Sequence, residues 1–201
     1  MSAATSPGMS ASEERKGVPY VICILGAEST GKTTLAQSLA QHFDCPWVGE
    51  YLREFCDTQA RTPTREEQAL VLDRQHAAEL SAVAQAQRQR SIFVFCDTAP
   101  LLTAIYSEFI FADLSLYAQA RKLHANYALT LLLAPDIGWT PDGLQREGEW
   151  VRAPVTQLIN RELAVIAAPF ANIHGQGEQR LAAALAALRQ FDPDLETGRV
   201  L

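Results

Sequence analysis

Gly26-Ala27-Glu28-Ser29-Thr30-Gly31-Lys32-Thr33 meets every fixed position of glycine, four residues, glycine, lysine, serine or threonine, the signature of a phosphate-binding P-loop. At ordinary residue frequencies a chain this long matches it by accident about 1% of the time. The flanks supply the context the signature needs. Upstream, Tyr20-Val21-Ile22-Cys23-Ile24-Leu25 is an unbroken apolar run, which predicts a strand buried on both faces of a parallel sheet. Downstream the period changes: Leu35, Leu39 and Phe43 recur four apart with Ala36 and Ala40 beside them, predicting a helix from about Gly31 to Phe43 with one buried stripe.

Strand, glycine-bearing turn and helix together make an anion site. Successive backbone N–H groups converge on a polyphosphate, and the positive end of the helix dipole favours its charge. Gly26, Ala27, Glu28, Ser29, Thr30, Gly31, Lys32, Thr33 and Thr34 are therefore the expected nucleotide-binding set. Lys32 reaches the β- and γ-phosphates, and the Thr33 hydroxyl ligates Mg2+.

The chain has 201 residues, 48% apolar and 20% charged, which suits one α/β domain with a full core. A net charge of −6 and a pI near 5.2 argue against a broad nucleic-acid-binding face, which needs a basic patch. No apolar run approaches a membrane span, and no basic-then-apolar signal peptide opens the chain, so the expected location is the cytoplasm. Cys23, Cys45, Cys56 and Cys96 show neither Cys-x-x-Cys spacing nor a histidine cluster, and read as small hydrophobes in a reducing compartment. The sequence carries no signal of oligomeric state.

Residues 1–17 are rich in Ser, Ala, Pro, Gly and charge, and are expected to form a disordered leader. Residues 18–190 form the expected domain, and 191–201 a loosely attached tail. Within the domain, Cys45 to Gly49 reads as a short second strand that ends in Glu50-Tyr51-Leu52-Arg53-Glu54. Ligands bind outside such strand ends in open parallel sheets, which makes Glu50, Tyr51 and Arg53 site candidates. Thr64-Arg65-Glu66-Glu67 has capping-box spacing, and Ala69, Leu72, Leu80 and Val83 extend a helix toward Arg90. Ile92 to Cys96 is a second fully apolar strand, closed by Asp97-Thr98. In P-loop proteins a carboxylate there holds magnesium, although Asp also ends strands as a turn former.

Pro100 to about Asn126 reads as helical with a break near Ala112-Asp113, and Tyr106, Phe109, Phe111 and Tyr117 read as packing residues. Tyr127 to Leu133 is a third apolar strand. Residues 136–152 follow, mixing Trp139, Trp150, Arg146, Arg152 and several turn formers, and are expected to be a mobile lid at the ligand edge. Pro154 starts a further helix, Ala171 to His174 forms a weak last strand, and Leu181, Leu185 and Leu188 mark the closing helix. The alternation predicts a doubly wound parallel sheet with right-handed crossovers.

The P-loop, Glu50-Tyr51 with Arg53, Asp97-Thr98, and Trp139 with Asp142-Gly143 together resemble the ribosylnicotinamide kinase domain of the bacterial NadR-type NAD regulators, over about Val21 to Ile173. The resemblance implies a P-loop kinase fold with a five-stranded core. It also implies ATP-dependent phosphorylation of nicotinamide riboside to nicotinamide mononucleotide. That family often carries an adenylyltransferase domain ahead of the kinase. It does not fit in the short leader, so a stand-alone kinase is expected. Where the family shows arginine directly after Asp-Gly-Leu, this chain has Gln145, with Arg146 one place later. Either Arg146 or Arg152 then fills the lid role.

The expected mechanism is in-line transfer of the γ-phosphoryl group to a nucleoside 5′-hydroxyl. Glu50 is the candidate base and could exchange roles with Asp97, which with Thr33 is expected to hold Mg2+. A cationic pyridinium acceptor suits aromatic faces, here Tyr51 and Trp139, with Asp142 on the ribose hydroxyls. Two other functions fit the P-loop: a kinase of another nucleoside, and an ATP- or GTP-dependent regulatory switch. No Asn-Lys-x-Asp guanine-reading segment is present.

Overall fold

The computed structural model describes residues 18–140 and 148–193. The expected leader and the tail beyond residue 193 lie outside them. Five parallel strands are ordered β2-β3-β1-β4-β5: β1 is Tyr20–Leu25, β2 Trp47–Val48, β3 Phe93–Asp97, β4 Leu129–Leu133 and β5 Phe170–Ile173.

The unbroken apolar strands follow from a sheet covered on both faces, because alternate side chains point to opposite sides. Ile22, Ile24, Phe93, Phe95, Leu131 and Leu133 pack against α1 (Lys32–Phe43) and α7 (Glu178–Phe191). Cys23, Leu25, Val94, Cys96 and Leu132 pack on the other face, toward α3 (Gln68–Gln89), α4 (Pro100–Phe111), α5 (Tyr117–His124) and α6 (Arg152–Val165). Burial on these faces pushes the Cys23 and Cys96 thiols well above their ordinary range.

The expected helix break is present: Ala112 turns left-handed at φ 53 and separates α4 from α5. The capping-box spacing is half used. Glu67 accepts the Thr64 N–H at 2.8 Å, but its carboxylate is also clasped by Arg61. Phe191, assigned from sequence to a loose tail, instead ends α7 and packs edge-on against Tyr20 with centroids 5.3 Å apart.

One helix was not expected. Residues after β2 form α2, Tyr51–Gln59, whose Phe55 and Cys56 pack with Val71 of α3 in a small satellite core. Leu52, Phe55 and Cys56 carry helical spacing, but the segment is otherwise polar and its burial depends on a partner helix distant in sequence. No helix among the described residues is long and apolar enough to cross a membrane.

Strand register explains why distant motifs meet. Ile24 pairs with Asp97, and Val48 with Cys96. The end of β1, the start of the P-loop, Asp97 and Glu50 therefore converge at one edge of the sheet.

Candidate active site

The P-loop backbone is held tightly. A Cβ on Gly26 would stand 2.7 Å from Thr30 Oγ1 and 3.2 Å from the Leu133 carbonyl oxygen, so only glycine lets the loop cross β4 this closely. Gly31 sits at φ 81 immediately before α1. Within the turn Thr30 Oγ1 donates to the Ala27 carbonyl at 2.8 Å, and Lys32 Nζ donates to the same oxygen at 3.2 Å. The Lys32 ammonium is thereby kept over the loop rather than extended into solvent.

Thr33, in the first turn of α1, donates its hydroxyl to Asp97 Oδ2 at 2.5 Å. Asp97 is 1% exposed, and its Oδ1 has no hydrogen-bond partner among the described residues. A hydroxyl and a buried carboxylate with an unused oxygen fit the protein share of a magnesium site. That ion keeps several waters and takes substrate phosphates, so no cluster of three or more acidic, Cys or His ligands is required, and none is found among the described residues.

Glu50 precedes α2, whose first turn is fixed from both sides. The Glu50 carbonyl accepts the Arg53 N–H at 3.1 Å, and the Tyr51 N–H donates to Gln75 Oε1 of α3 at 2.8 Å. Glu28, Lys32 and Glu50 share a cavity of about 380 Å³ with Leu102, Tyr106 and Phe111, within the size range of small-molecule sites. Glu28, assigned from sequence to the phosphate cradle, is 6% exposed and lines this cavity. Tyr106 and Phe111, assigned to packing, form part of its wall.

Tyr51 and Arg53 are elsewhere. They border a second, more open cavity with Trp47, Thr33 and Asp97, and Glu50 is common to both. Trp139 is half-buried, and its indole Nε1 has no hydrogen-bond partner among the described residues. Neither Trp139 nor Tyr51 lines the cavity shared by Glu28, Lys32 and Glu50. The structure thus brings Thr33 to Asp97 and Lys32 to Glu50, but it does not bring the two expected stacking residues together across that cavity.

Of the segment expected from sequence to be a lid, residues 136–140 and 148–152 are described, while Asp142 and Arg146 lie outside the described residues. Ser29 of the P-loop donates to the Thr140 carbonyl at 2.8 Å, linking the rising arm to the loop. Arg152 is 7% exposed and opens α6. Both of its Nη atoms donate to the Ile137 carbonyl at 3.0 Å, so its guanidinium ties the start of α6 to the segment after β4 and, contrary to the expected role at the transferring phosphate, lines neither cavity.

Arg180 was not a candidate from sequence. From α7 it donates to the carbonyls of Thr30, Ala134 and Gly175 and to the Asp136 carboxylate. It ties the P-loop to the ends of β4 and β5. Burial lowers its pKa, and Arg152 nearby adds to that. Nothing local in Gln179-Arg180-Leu181 signals this role, because its acceptors come from three other segments.

Below the site a buried acid crosses the core. Glu79 Oε1 accepts the Tyr127 hydroxyl at 2.7 Å and Gln75 Nε2 at 3.5 Å, and Glu79 Oε2 lies 3.7 Å from His76 Nδ1. Burial pushes the Glu79 carboxyl up to about 7 despite these bonds.

A family model described as an AAA domain matches residues 21–180. A solved NadR protein in complex with NR has a TM-score of 0.75 at 25% identity, and the match covers 88% of this chain and 52% of that one. A NadR protein in complex with NAD and AMP-PNP gives a TM-score of 0.72 at 23% identity, covering 88% of this chain and 50% of that one. The chain therefore spans about half the length of the NadR chains it matches. Thymidylate kinase from Ehrlichia chaffeensis matches with a TM-score of 0.63 at 14% identity, over 87% of this chain and 100% of that one, which shows the shared P-loop kinase fold alone. No curated protein sequence matches. The likeness to NadR proteins carried by the motif residues is thus present in three dimensions as well.

Proposed function

The chain belongs to the AAA domain family, and from that membership and the geometry of its strand-end edge we propose that it is an ATP-dependent kinase of nicotinamide riboside. The product is nicotinamide mononucleotide. One observation carries the reading: Lys32 of the P-loop and Glu50 face one nucleoside-sized cavity, beside Thr33 and Asp97. A phosphoryl donor and a hydroxyl acceptor would meet there. The NadR protein solved with NR supports the choice of acceptor.

In this mechanism the amides from Gly26 to Thr34 and the Lys32 ammonium hold the β- and γ-phosphates. Thr33 and Asp97 would hold a magnesium ion, which would supply charge neutralisation. Glu50 accepts the proton of the 5′-hydroxyl as it attacks the γ-phosphorus. Either Arg146 or, on release from the Ile137 carbonyl, Arg152 stabilises the charge that spreads over the transferring group. Glu28 and Glu50 put two carboxylates beside the acceptor, with the aromatic faces of Tyr106 and Phe111. That combination suits a pyridinium cation and ribose hydroxyls better than a neutral base. Four free thiols, three of them buried, fit a reducing cytoplasmic setting.

A coupled assay tests the proposal with nicotinamide riboside, uridine and deoxyadenosine as acceptors, and with water alone as the control. The expected result is the highest kcat/KM for nicotinamide riboside. Equal or better turnover of uridine or deoxyadenosine replaces the reading with a general nucleoside kinase. Hydrolysis without any nucleoside acceptor replaces it with a regulatory switch.

A further inference from the structure

Thr98 follows Asp97 with φ 78, a left-handed conformation that a β-branched residue adopts only under constraint. Its N–H donates to the Ile24 carbonyl at 3.0 Å, which locks the backbone across β1. Glycine or asparagine would take this conformation at less cost, so the side chain itself needs a reason. Strained residues of this kind gather at functional sites. The hydroxyl supplies that reason. Thr98 is 4% exposed, and its Oγ1 has no hydrogen-bond partner among the described residues.

Thr98 lines a chamber of about 20 Å³ together with Glu50, Gln75, Thr103 and Tyr106. The chamber adjoins the acceptor cavity, and Glu50 and Tyr106 border both. Its volume admits one water molecule, which requires at least ~10–15 Å³ and two to four polar partners. Gln75 accepts the Tyr51 N–H at 2.8 Å and so anchors the backbone next to Glu50.

We propose that Thr98 is a positioning residue for the transfer: its hydroxyl and one water held in this chamber fix the Glu50 carboxylate toward the acceptor hydroxyl. The inference rests on Glu50 being the base. The Thr98 hydroxyl donates to the water, and the water donates to the Glu50 carboxylate, which borders both the chamber and the acceptor cavity. No bond is made or broken in the chamber. Its contribution is orientation, so it affects the rate of transfer and not the binding of ATP.

Four variants separate the possibilities, each assayed with the nucleoside that turns over fastest in the acceptor panel. Thr98→Val keeps the shape and removes the hydroxyl. Thr98→Gly removes the hydroxyl and relieves the backbone. Thr98→Ser retains the hydroxyl, and Glu50→Gln removes the base. We expect Thr98→Val and Thr98→Gly to lose about tenfold or more in kcat, a fraction of the 10²–10⁴ typical of a positioned base. KM for ATP should stay unchanged, and Thr98→Ser should recover the rate. Adding Thr98→Val to Glu50→Gln should cost nothing further, because the two act on one interaction. Thermal melts confirm folding, and Thr98→Gly stands in for Thr98→Val should the latter fail to fold. If Glu50→Gln is slow while Thr98→Gly matches wild type, the positioning role is wrong and the base survives. If Glu50→Gln keeps normal turnover, or no nucleoside is phosphorylated, the base assignment falls and this inference falls with it.

Discussion

Glu79 and His124 should hide each other's pH dependence, and replacing Glu79 with glutamine should expose it. Glu79 is 6% exposed, and burial raises its carboxyl from 4.5 to about 7. Between those values the native state keeps a proton that the unfolded chain has lost. The stability from this group is therefore complete below pH 4.5 and lost as pH rises through 7. His124 is 1% exposed, and its ring nitrogen Nε2 lies 3.0 Å from Thr130 Oγ1. Burial lowers its pKa from 6.5 to about 4, so there the unfolded chain holds the extra proton. Its contribution falls as pH drops from 6.5 toward 4. Each gap spans about 2.5 units, which at ~1.4 kcal/mol per unit gives roughly 3 kcal/mol of opposite sign. Wild-type stability should consequently change little from these two groups between pH 4.5 and 6.5. Glu79→Gln keeps an acceptor for the Tyr127 hydroxyl and removes the titration. The stability difference between variant and wild type should then move by roughly 3 kcal/mol in favour of the variant from pH 4.5 to 7, which is about 6–12 °C in Tm for a chain of this size. Surface carboxylates such as Glu67 and Asp113, held near about 2 by their partners, cancel in that difference. Urea unfolding of both proteins at half-unit steps of pH gives the measurement. A difference that stays constant across the window would refute the burial argument.

Lys32→Ala removes the formal charge over the phosphates, so turnover should fall by several orders of magnitude while the melting curve keeps its shape, as steady-state kinetics and thermal unfolding can show. Gly26→Ala places a methyl 2.7 Å from Thr30 Oγ1 and 3.2 Å from Leu133. The loop must shift, and calorimetric ATP affinity should drop more than Tm. Tyr106→Leu should raise KM for the nucleoside several-fold, because Tyr106 lines the acceptor cavity. Trp139→Leu should act mainly on kcat through the lid, and the opposite pattern in the two variants would return the stacking role to Trp139.

The strands β1, β3 and β4, the helices α1 and α3, and the P-loop between β1 and α1 were legible because each is written in local periodicity. A strand covered on both faces has no polar alternation, and a surface helix repeats every third or fourth residue. Asp97 was legible as the end of an apolar strand, and its meeting with Thr33 followed once a P-loop stood next to it. Helix α2 was not legible, since Phe55 and Cys56 are buried only against Val71 of α3. The residues that complete the site were missed for the same reason. Arg180 gathers acceptors from the P-loop, the end of β4 and the turn after β5. Gln75 reaches back 24 residues to Tyr51. Tyr106 is one aromatic among several until the cavity beside Glu50 is seen.

What the sequence by itself determined is the chemistry of the phosphate end: a glycine-bearing turn between a buried strand and an amphipathic helix can do little else than cradle an anion. What only the tertiary structure decided is the cavity beside that end. The sheet order β2-β3-β1-β4-β5 brings Glu50, Asp97 and Thr98 to the P-loop edge, where Glu28 lines the same cavity as Glu50. Strand pairing over long sequence distances is fixed by register and burial on both faces, and no local pattern encodes it.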